Sequence, residues 1–173
     1  MWRGWVDEVV AMLAYDSACE SGGEVEVKLR ARGFARILAF DADGNLLGER
    51  RSSNMVTDAG RTQIMKLISA GQGGTAISHG GVGTGSGATA TNTTALVSET
   101  GTRKAVSYGL TGGTADYTWS YATSEVNASL QEVGLFNSSS SGTLFARAPH
   151  SAINKDNTMT LAYTYELQLQ TAP

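Results

Sequence analysis

The C-terminal part of the chain contains the pattern that decides the fold. From Leu130 to Gln170 it reads LQEVGLFNSSSSGTLFARAPHSAINKDNTMTLAYTYELQLQ. Apolar and polar side chains alternate in its last third, and the apolar positions are Met159, Leu161, Tyr163, Tyr165, Leu167 and Leu169. Successive side chains of a strand point to opposite faces of its sheet, so the alternation predicts a long strand with one face on a core.

The residues before this strand predict a hairpin. Val133, Leu135 and Phe136 lead into a polar loop of Asn, Ser and Gly, and apolar residues resume at Leu144 and Phe145. Two short β-rich runs on either side of a Ser/Gly turn are typical of paired antiparallel strands. The C-terminal part of the chain is therefore predicted to be all β.

The middle of the chain predicts more strands and a single helix. The predicted strands cover residues 24–32, 34–40, 46–51, 103–110 and 117–122. The predicted helix covers residues 57–70, with Thr57 or Asp58 as its N-cap and Gly71 as its C-cap. Its inward stripe would be Ile64, Leu67 and Ile68. These elements predict an antiparallel β-sandwich-like domain over residues 24–173, with one α-helix packed on it.

The N-terminal residues predict an amphipathic helical arm, residues 1–23, that precedes this domain. Over residues 2–14 the apolar side chains recur at a helical period, and they are Trp2, Trp5, Val6, Val9 and Leu13. Gly22 and Gly23 provide a flexible joint. This stripe has to be buried on its own domain, on a neighbouring subunit or at a membrane surface, and the lack of Lys and Arg enrichment on its polar face disfavours the membrane. We adopt the neighbouring subunit as our hypothesis for an interface.

Composition and charge argue against several classes of partner. The formal net charge is -3 and no basic stripe occurs, so no nucleic-acid partner is expected. No apolar run approaches the ~20 residues of a membrane span. Asp7 and Glu8 interrupt the first apolar stretch, so no signal peptide is expected either. The single cysteine, Cys19, cannot form a disulfide within the chain.

One loop resembles a calcium site and is better explained as a turn. The segment Asp41-Ala-Asp-Gly-Asn45 offers Asp41, Asp43 and Asn45 at alternate positions. A calcium loop requires Gly at its sixth position and Glu at its twelfth, whereas here Gly44 is fourth and Ser52 is twelfth. An Asp-Gly step between two apolar runs predicts a hairpin turn.

A glycine-rich stretch resembles a phosphate-binding loop but lacks the other residues and elements that such a loop requires. Residues 81–87 contain glycine at every second position, without the Lys-Ser/Thr step or the flanking elements of a nucleotide site. His79 and His150 are isolated and do not have the spacing of metal ligands. We therefore predict no catalytic residues, no cofactor, no metal and no enzymatic activity.

The predicted strand 117–122 carries an aromatic row. Tyr117, Trp119 and Tyr121 fall on one face, where they either pack in the core or form an exposed platform for a sugar or peptide. Aligned aromatic residues mostly pack inward, which favours the core. An exposed row would instead indicate a small adhesin or carbohydrate-binding module, and this is the alternative function.

Three motif blocks occur in a fixed order along the chain. They are Asn54-Met-Val-Thr-x-x-Gly60 with the helix that follows, Val82-Gly-Thr-Gly85 with Thr94-x-Leu96-x-x-Glu99 and Arg103, and Leu130-x-Glu132-Val-Gly-Leu-Phe136 with Leu144-x-Ala146-Arg147 and Ile153-x-Lys155. Together they resemble a family of small tailed-bacteriophage virion proteins, which includes tail, tail-fibre and head-fibre components. The similarity covers residues 54–170.

This resemblance implies a non-enzymatic structural role in a virus particle. It implies a symmetric homo-oligomer that contacts copies of itself and other virion proteins, and a location in the virion after synthesis in the host cytoplasm. The chain ends at Pro173, directly after the last predicted strand, without a repetitive shaft. We therefore expect a compact component of the tail, baseplate, collar, fibre anchor or decoration layer.

Overall fold

The structure, a computed structural model, describes residues 9–10, 28–69 and 72–171. These residues form strands and one helix. In chain order they are β1 (Val9–Val10), β2 (Lys28–Asp41), β3 (Leu46–Ser53), β4 (Met55–Val56), α1 (Asp58–Ile68), β5 (His79–Gly83), β6 (Glu99–Ala105), β7 (Ser107–Thr111), β8 (Thr114–Tyr121), β9 (Ser129–Phe136), β10 (Leu144–Asn154) and β11 (Met159–Thr171). The predicted mainly β architecture with a packed helix is confirmed.

The first sheet, sheet A, is built around β2 and β11. Its strand order is β1–β2–β11–β8–β7, and β3 pairs with β2 as well. Strand β11 pairs with β2 from Met159 opposite Asp41 to Thr171 opposite Leu29, so β3 and β1 share the other edge of β2. The long C-terminal strand predicted from the alternation is confirmed.

The second sheet, sheet B, contains the predicted hairpin. Its strand order is β4–β10–β9–β5–β6, and all pairs in both sheets are antiparallel. Leu144 lies opposite Phe136 at the start of the β9–β10 hairpin. The register then shifts between Leu144 and Ala146, which indicates a β-bulge.

The hydrophobic core lies between the two sheets. Tyr163 of β11 is buried and stacks on Trp119 of β8 with ring centroids 5.0 Å apart, while Tyr121 meets it edge-on at 5.9 Å. Sheet B contributes Val133 and Leu135 to the same cluster. Offset-stacked and edge-on rings of this kind add to the stabilisation that burial provides. The two sheets therefore pack as a sandwich.

Strand β2 corrects the predicted boundaries near the N-terminus. Strands predicted over 24–32 and 34–40 are one continuous strand from Lys28 onward, with Gly33 in its middle. A side-chain carbon at Gly33 would overlap the carbonyl oxygen of Glu166 on β11, so glycine lets the two strands approach closely here. Residues 24–27 lie outside the described ranges.

A second correction concerns the strand predicted over residues 103–110. The structure divides it into β6 of sheet B and β7 of sheet A. Val106 lies between them, and its N–H donates to the carbonyl of Ser78. The chain crosses from one sheet to the other at this residue, so a single apolar pattern covers two strands.

Helix α1 has the predicted N-cap but not the predicted buried stripe. Thr57 Oγ1 accepts a hydrogen bond from the N–H of Gly60 at 2.9 Å, which satisfies one of the free donors of the first turn. Ile64 packs against the core, whereas Leu67 is 47% exposed and Ile68 is 71% exposed. Gly60 lies directly on the backbone of Phe145, so the close contact with β10 is made by the first turn.

The C-terminal end of α1 also differs from the prediction. The helix ends at Ile68, and Ser69 caps it by donating its backbone N–H to Met65. Gly71, the predicted cap, lies outside the described residues. Since Met65 is also exposed, the second half of the helix presents an apolar side to the surroundings.

The structure describes little of the predicted N-terminal helix. Val9 and Val10 form strand β1, opposite Leu29 and Lys28 of β2, which replaces the predicted helix at these two positions. The other residues of the helix predicted over 2–14 lie outside the described ranges, and there the helix stays a prediction.

Candidate functional site

A buried ion pair lies on the outer face of sheet B. Arg147 Nε donates to Glu132 Oε2 at 2.7 Å, and both side chains are fully buried. Glu132 also accepts hydrogen bonds from the N–H groups of Gly85, Val97 and Ser98 at 2.8–3.1 Å. A buried charge is tolerated only with partners of this kind.

The ion pair holds the glycine-rich segment against the sheet. Arg147 Nη1 donates to the carbonyl of Gly87 at 3.1 Å and to Thr89 Oγ1 at 2.8 Å. A side-chain carbon at Gly85 would lie 2.5 Å from Glu132 Oε1, so the chain passes too close to the carboxylate for any other residue. The glycines of this segment therefore allow its backbone to pass close to the carboxylate of Glu132.

Apolar and aromatic contacts complete the same face. Leu96 packs with Phe136 and Leu144 in a small buried cluster. The guanidinium of Arg103 lies over the ring of Phe136 at 3.4 Å and pairs with Glu99. We call this assembly, with Glu132 and Arg147 at its centre, the sealed face. All of its charged groups serve internal contacts.

Lys155 is another charged residue that is buried and hydrogen-bonded within the chain. Its Nζ donates to the carbonyls of Thr123 and Asp156 at 3.1 and 3.2 Å and to Asn127 Oδ1 at 2.9 Å. Burial lowers the pKa of this ammonium group from its ordinary value. The lysine ties the segment before β9 to the segment after β10.

The sealed face explains the motif blocks of the sequence. Residues from all three blocks meet there, because Gly85 binds Glu132, Glu132 binds Arg147, and Thr57 Oγ1 donates to the carbonyl of Leu144 at 2.6 Å. Sequence reasoning found these residues as motifs but missed the ion pair. A charged residue inside each of two otherwise apolar strands is the signal that could have indicated it.

The Asp41 loop is the turn that the sequence predicts. Asp41 accepts hydrogen bonds from the N–H groups of Asp43 and Asn45 and from the amide of Asn45, and these bonds lower the pKa of its carboxyl. Gly44 has φ of 86°, which suits glycine in a tight turn. The described part of the chain contains no group of three or more acidic, His or Cys residues placed to hold a metal ion.

The aromatic row of β8 faces the core. Trp119 and Tyr121 are buried and Tyr117 is partly buried. Burial raises the pKa of Tyr121 well above its ordinary value. The exposed platform that the carbohydrate-binding alternative requires is therefore not formed by these residues, and we do not pursue that alternative.

An apolar groove opens at the end of the sandwich where β2 begins and β11 ends. Its volume is about 200 Å³, and its main lining residues are Ile64, Leu67, Leu110, Tyr117, Leu167 and Leu169. We call it the open-end groove. One wall is α1 and the other is the inner face of sheet A, which continues beyond the buried tyrosines. Leu67, Leu110 and Leu169 remain exposed.

Strand β7 forms the exposed edge of sheet A beside this groove. All its residues are exposed, and Tyr108 and Leu110 are 77% and 73% exposed. They lie opposite Tyr117 and Ala115, so they share the inner face of the sheet. Within the described ranges β7 pairs only with β8. Its second edge therefore offers free backbone groups beside two large apolar side chains.

The residues predicted to form a subunit interface are only partly described. Trp2, Trp5, Val6 and Leu13 lie outside the described residues, and so does Cys19. Val9 is placed at β1, at the β2 end that borders the open-end groove. Both features of this end, the groove and the exposed β7, were missed by sequence reasoning.

Comparison with known protein families, with curated proteins and with solved structures finds no match for this chain. The described residues include no helix with the length and apolar character that crossing a membrane requires.

Proposed function

We propose that this chain is a non-enzymatic structural subunit of a bacteriophage particle, a component of the tail, baseplate, collar, fibre anchor or decoration layer. It acts by assembly with copies of itself and with other virion proteins. The ordered motif blocks support the phage assignment, since they resemble those of small virion proteins. Its place of action is then the virion.

The observation that carries the assembly proposal is strand β7. A fully exposed edge strand with Tyr108 and Leu110 on one face can accept a strand from another chain, with main-chain hydrogen bonds for affinity and apolar contacts for specificity. Tyrosine is also enriched at the centre of protein interfaces. Soluble proteins usually protect such an edge with charges or proline, and β7 has neither.

The buried charged groups of the described residues support a structural role. Glu132, Arg147 and Lys155 are buried in contacts within the chain. A rigid framework of this kind suits a subunit that must present the same surface in every copy.

Native mass spectrometry of the full chain at micromolar concentration tests the assembly proposal. We expect species heavier than the 18.1 kDa monomer. Tyr108→Lys should shift the distribution toward the monomer, because it places a charge at the edge. Val97→Lys is the matched control, since Val97 is exposed but lies on the segment that covers sheet B. A wild-type spectrum dominated by the monomer would contradict the proposal.

The phage assignment needs its own experiment. Particles released by cells that carry this gene can be labelled with an antibody against the purified chain and viewed by electron microscopy. We expect a gold-conjugated antibody to bind at a fixed position on tailed particles. Particles that carry no label, from cells shown to make the protein, would overturn the assignment to the virion.

A further inference from the structure

We infer that the open-end groove is the docking site of the chain's own N-terminal segment, with Trp2 and Trp5 as its anchors. This inference goes beyond the proposed function and does not depend on it. It also departs from the interface hypothesis drawn from the sequence, which places the same side chains on another subunit. Four observations lead to it.

The groove needs an apolar occupant. Leu167 and Leu169 continue the inner, core-facing side of β11 past Tyr165, and Leu110 and Leu67 face the same space from β7 and α1. Its lining is mostly aliphatic and aromatic, and three of its leucines are exposed in the described structure. Covering this surface would remove apolar area from water and so stabilise the fold.

The chain carries an apolar segment of matching character. Residues 1–8 include Trp2, Trp5 and Val6, and two tryptophans in so short a stretch are a large apolar area to leave in water. Apolar cavities of ~150 Å³ take up a benzene-sized ring. The open-end groove, at about 200 Å³, is therefore large enough for one indole, and the exposed leucines beside it offer apolar surface to the second.

The segment is attached next to the groove. Val9 is paired with Leu29 at the beginning of β2, and Ala31, two residues further along, lines the groove beside Leu169. A second opening, lined by Arg30, Ala31 and Val56 among others, borders the same stretch of β2. Because both openings include Ala31 and Val56, a chain leaving β1 has a direct way into the groove.

The tether length favours the chain's own groove over that of a second copy. An extended chain spans about 3.3–3.6 Å per residue, so Trp5 lies within ~14 Å of Val9 and Trp2 within ~25 Å. Neighbouring strands are only about 4.8 Å apart, so both distances are sufficient. A short tether gives an effective concentration on the order of millimolar, far above a micromolar concentration of free copies.

Disulfide trapping tests the inference and separates the two arrangements. In a Cys19→Ser background, Gly4→Cys places a thiol between the tryptophans and Leu110→Cys places one at the rim of the groove. Oxidation with oxidised glutathione should give an intrachain disulfide, detected as a non-reduced species of monomer mass. The matched control is Gly4→Cys with Leu47→Cys, because Leu47 is similarly exposed but lies at the other end of β2.

The outcomes decide between the alternatives. Selective intrachain crosslinking of the Leu110 pair supports the inference. Crosslinked dimers under the same dilute conditions would overturn it in favour of a second copy, and crosslinking no better than that of the Leu47 pair would overturn it outright. The readout is the mass of the denatured chain, so it does not depend on whether the native protein assembles as proposed above.

A second measurement needs no new cysteine. Trp2→Ala combined with Trp5→Ala changes no residue of the described sandwich, yet it should open the groove to a small apolar dye such as ANS. We expect a severalfold rise in dye fluorescence with an unchanged far-ultraviolet circular dichroism spectrum. Fluorescence equal to that of the wild type would mean that the groove is not covered by these tryptophans.

Discussion

The sealed face of sheet B and the open end of sheet A differ in which side chains they bury. The sealed face buries charged side chains, whereas the open end exposes apolar ones. On the sealed face even the charged pair Glu132–Arg147 is fully buried, and each charge is supported by further hydrogen bonds. At the open end, by contrast, Tyr108 and Leu110 are mostly exposed. The first region is closed by contacts within the chain, whereas the second exposes apolar surface of the kind that often marks interaction sites.

The comparison also shows what the motif blocks can and cannot indicate. The motif residues on which the proposed phage assignment rests, such as Gly85, Glu132 and Arg147, lie on the sealed face. Strand β7 and the groove leucines of β7 and β11 (Leu110, Leu167 and Leu169) belong to none of the blocks, whereas Leu67 lies on the helix of the first block. The motifs therefore mostly describe how the framework is closed, and the proposed assembly edge β7 lies outside them.

The largest expected effect concerns the two faces of β11. Tyr163 is buried and stacked on Trp119, whereas Thr164 points to the outer face, opposite Arg36 and Thr118. Tyr163→Asp removes the ring and places a charge in the core, which should cost about 4 kcal/mol or more of unfolding free energy. Thr164→Asp should change it by no more than about 1 kcal/mol. Urea unfolding measures both, and equal losses would mean that both faces are buried.

A smaller but still large effect is expected from the buried ion pair. Arg147→Met leaves Glu132 charged and buried without its cation, and breaking such a pair typically costs about 3–5 kcal/mol. Arg36→Met is the matched control, because Arg36 and Glu49 form a pair of the same kind with both side chains more than a third exposed. Exposed pairs of this kind contribute little to stability, because water screens both charges. Thermal and urea unfolding of the two variants give the difference.

A double variant sharpens this result. Glu132→Gln added to Arg147→Met removes the uncompensated charge, so it should recover part of the lost stability, although the amide cannot accept all the bonds of the carboxylate. If Arg147→Met costs no more than Arg36→Met, the ion pair does not hold the sealed face together.

The sequence predicted the features that depend on local patterns. The long strand β11 and the β9–β10 hairpin follow from a two-residue period and a turn, both of which lie within a few residues of the chain. The N-cap at Thr57 follows in the same way from residue type and position. These predictions needed no knowledge of the other sheet.

Features that depend on sheet register and on the relative lengths of the sheets could not be predicted. Glu132 and Arg147 meet because β10 pairs with β9 across a bulge, and the pattern of neither strand indicates that register. Leu67 fits the helical stripe, yet it is 47% exposed, while Gly60 in the first turn of α1 lies directly on β10. The open-end groove, which Leu67 lines, is a consequence of the same arrangement.

The smallest predicted effect is a change in the pH dependence of the unfolding free energy, and it concerns His150. Burial lowers the pKa of this imidazole below its ordinary 6.5, and the nearby Arg50 adds to the effect while Glu132 opposes it. Its Nδ1 lies 2.9 Å from the carbonyl of Ser151, and its Nε2 is buried without a partner among the described residues. A proton added at Nε2 would therefore be poorly accommodated in the folded state.

The sign of the pH dependence follows from linkage. Below about pH 6.5 the unfolded chain binds a proton at His150 more readily than the folded chain, so unfolding free energy falls as the pH falls toward the lowered folded pKa. His150→Gln should flatten the slope of unfolding free energy against pH between about pH 5 and pH 7 relative to wild type. Asp41 and Asp156 have lowered pKa values and act at more acidic pH, so they do not supply this slope. An unchanged slope in the variant would show that folding does not lower the pKa of His150.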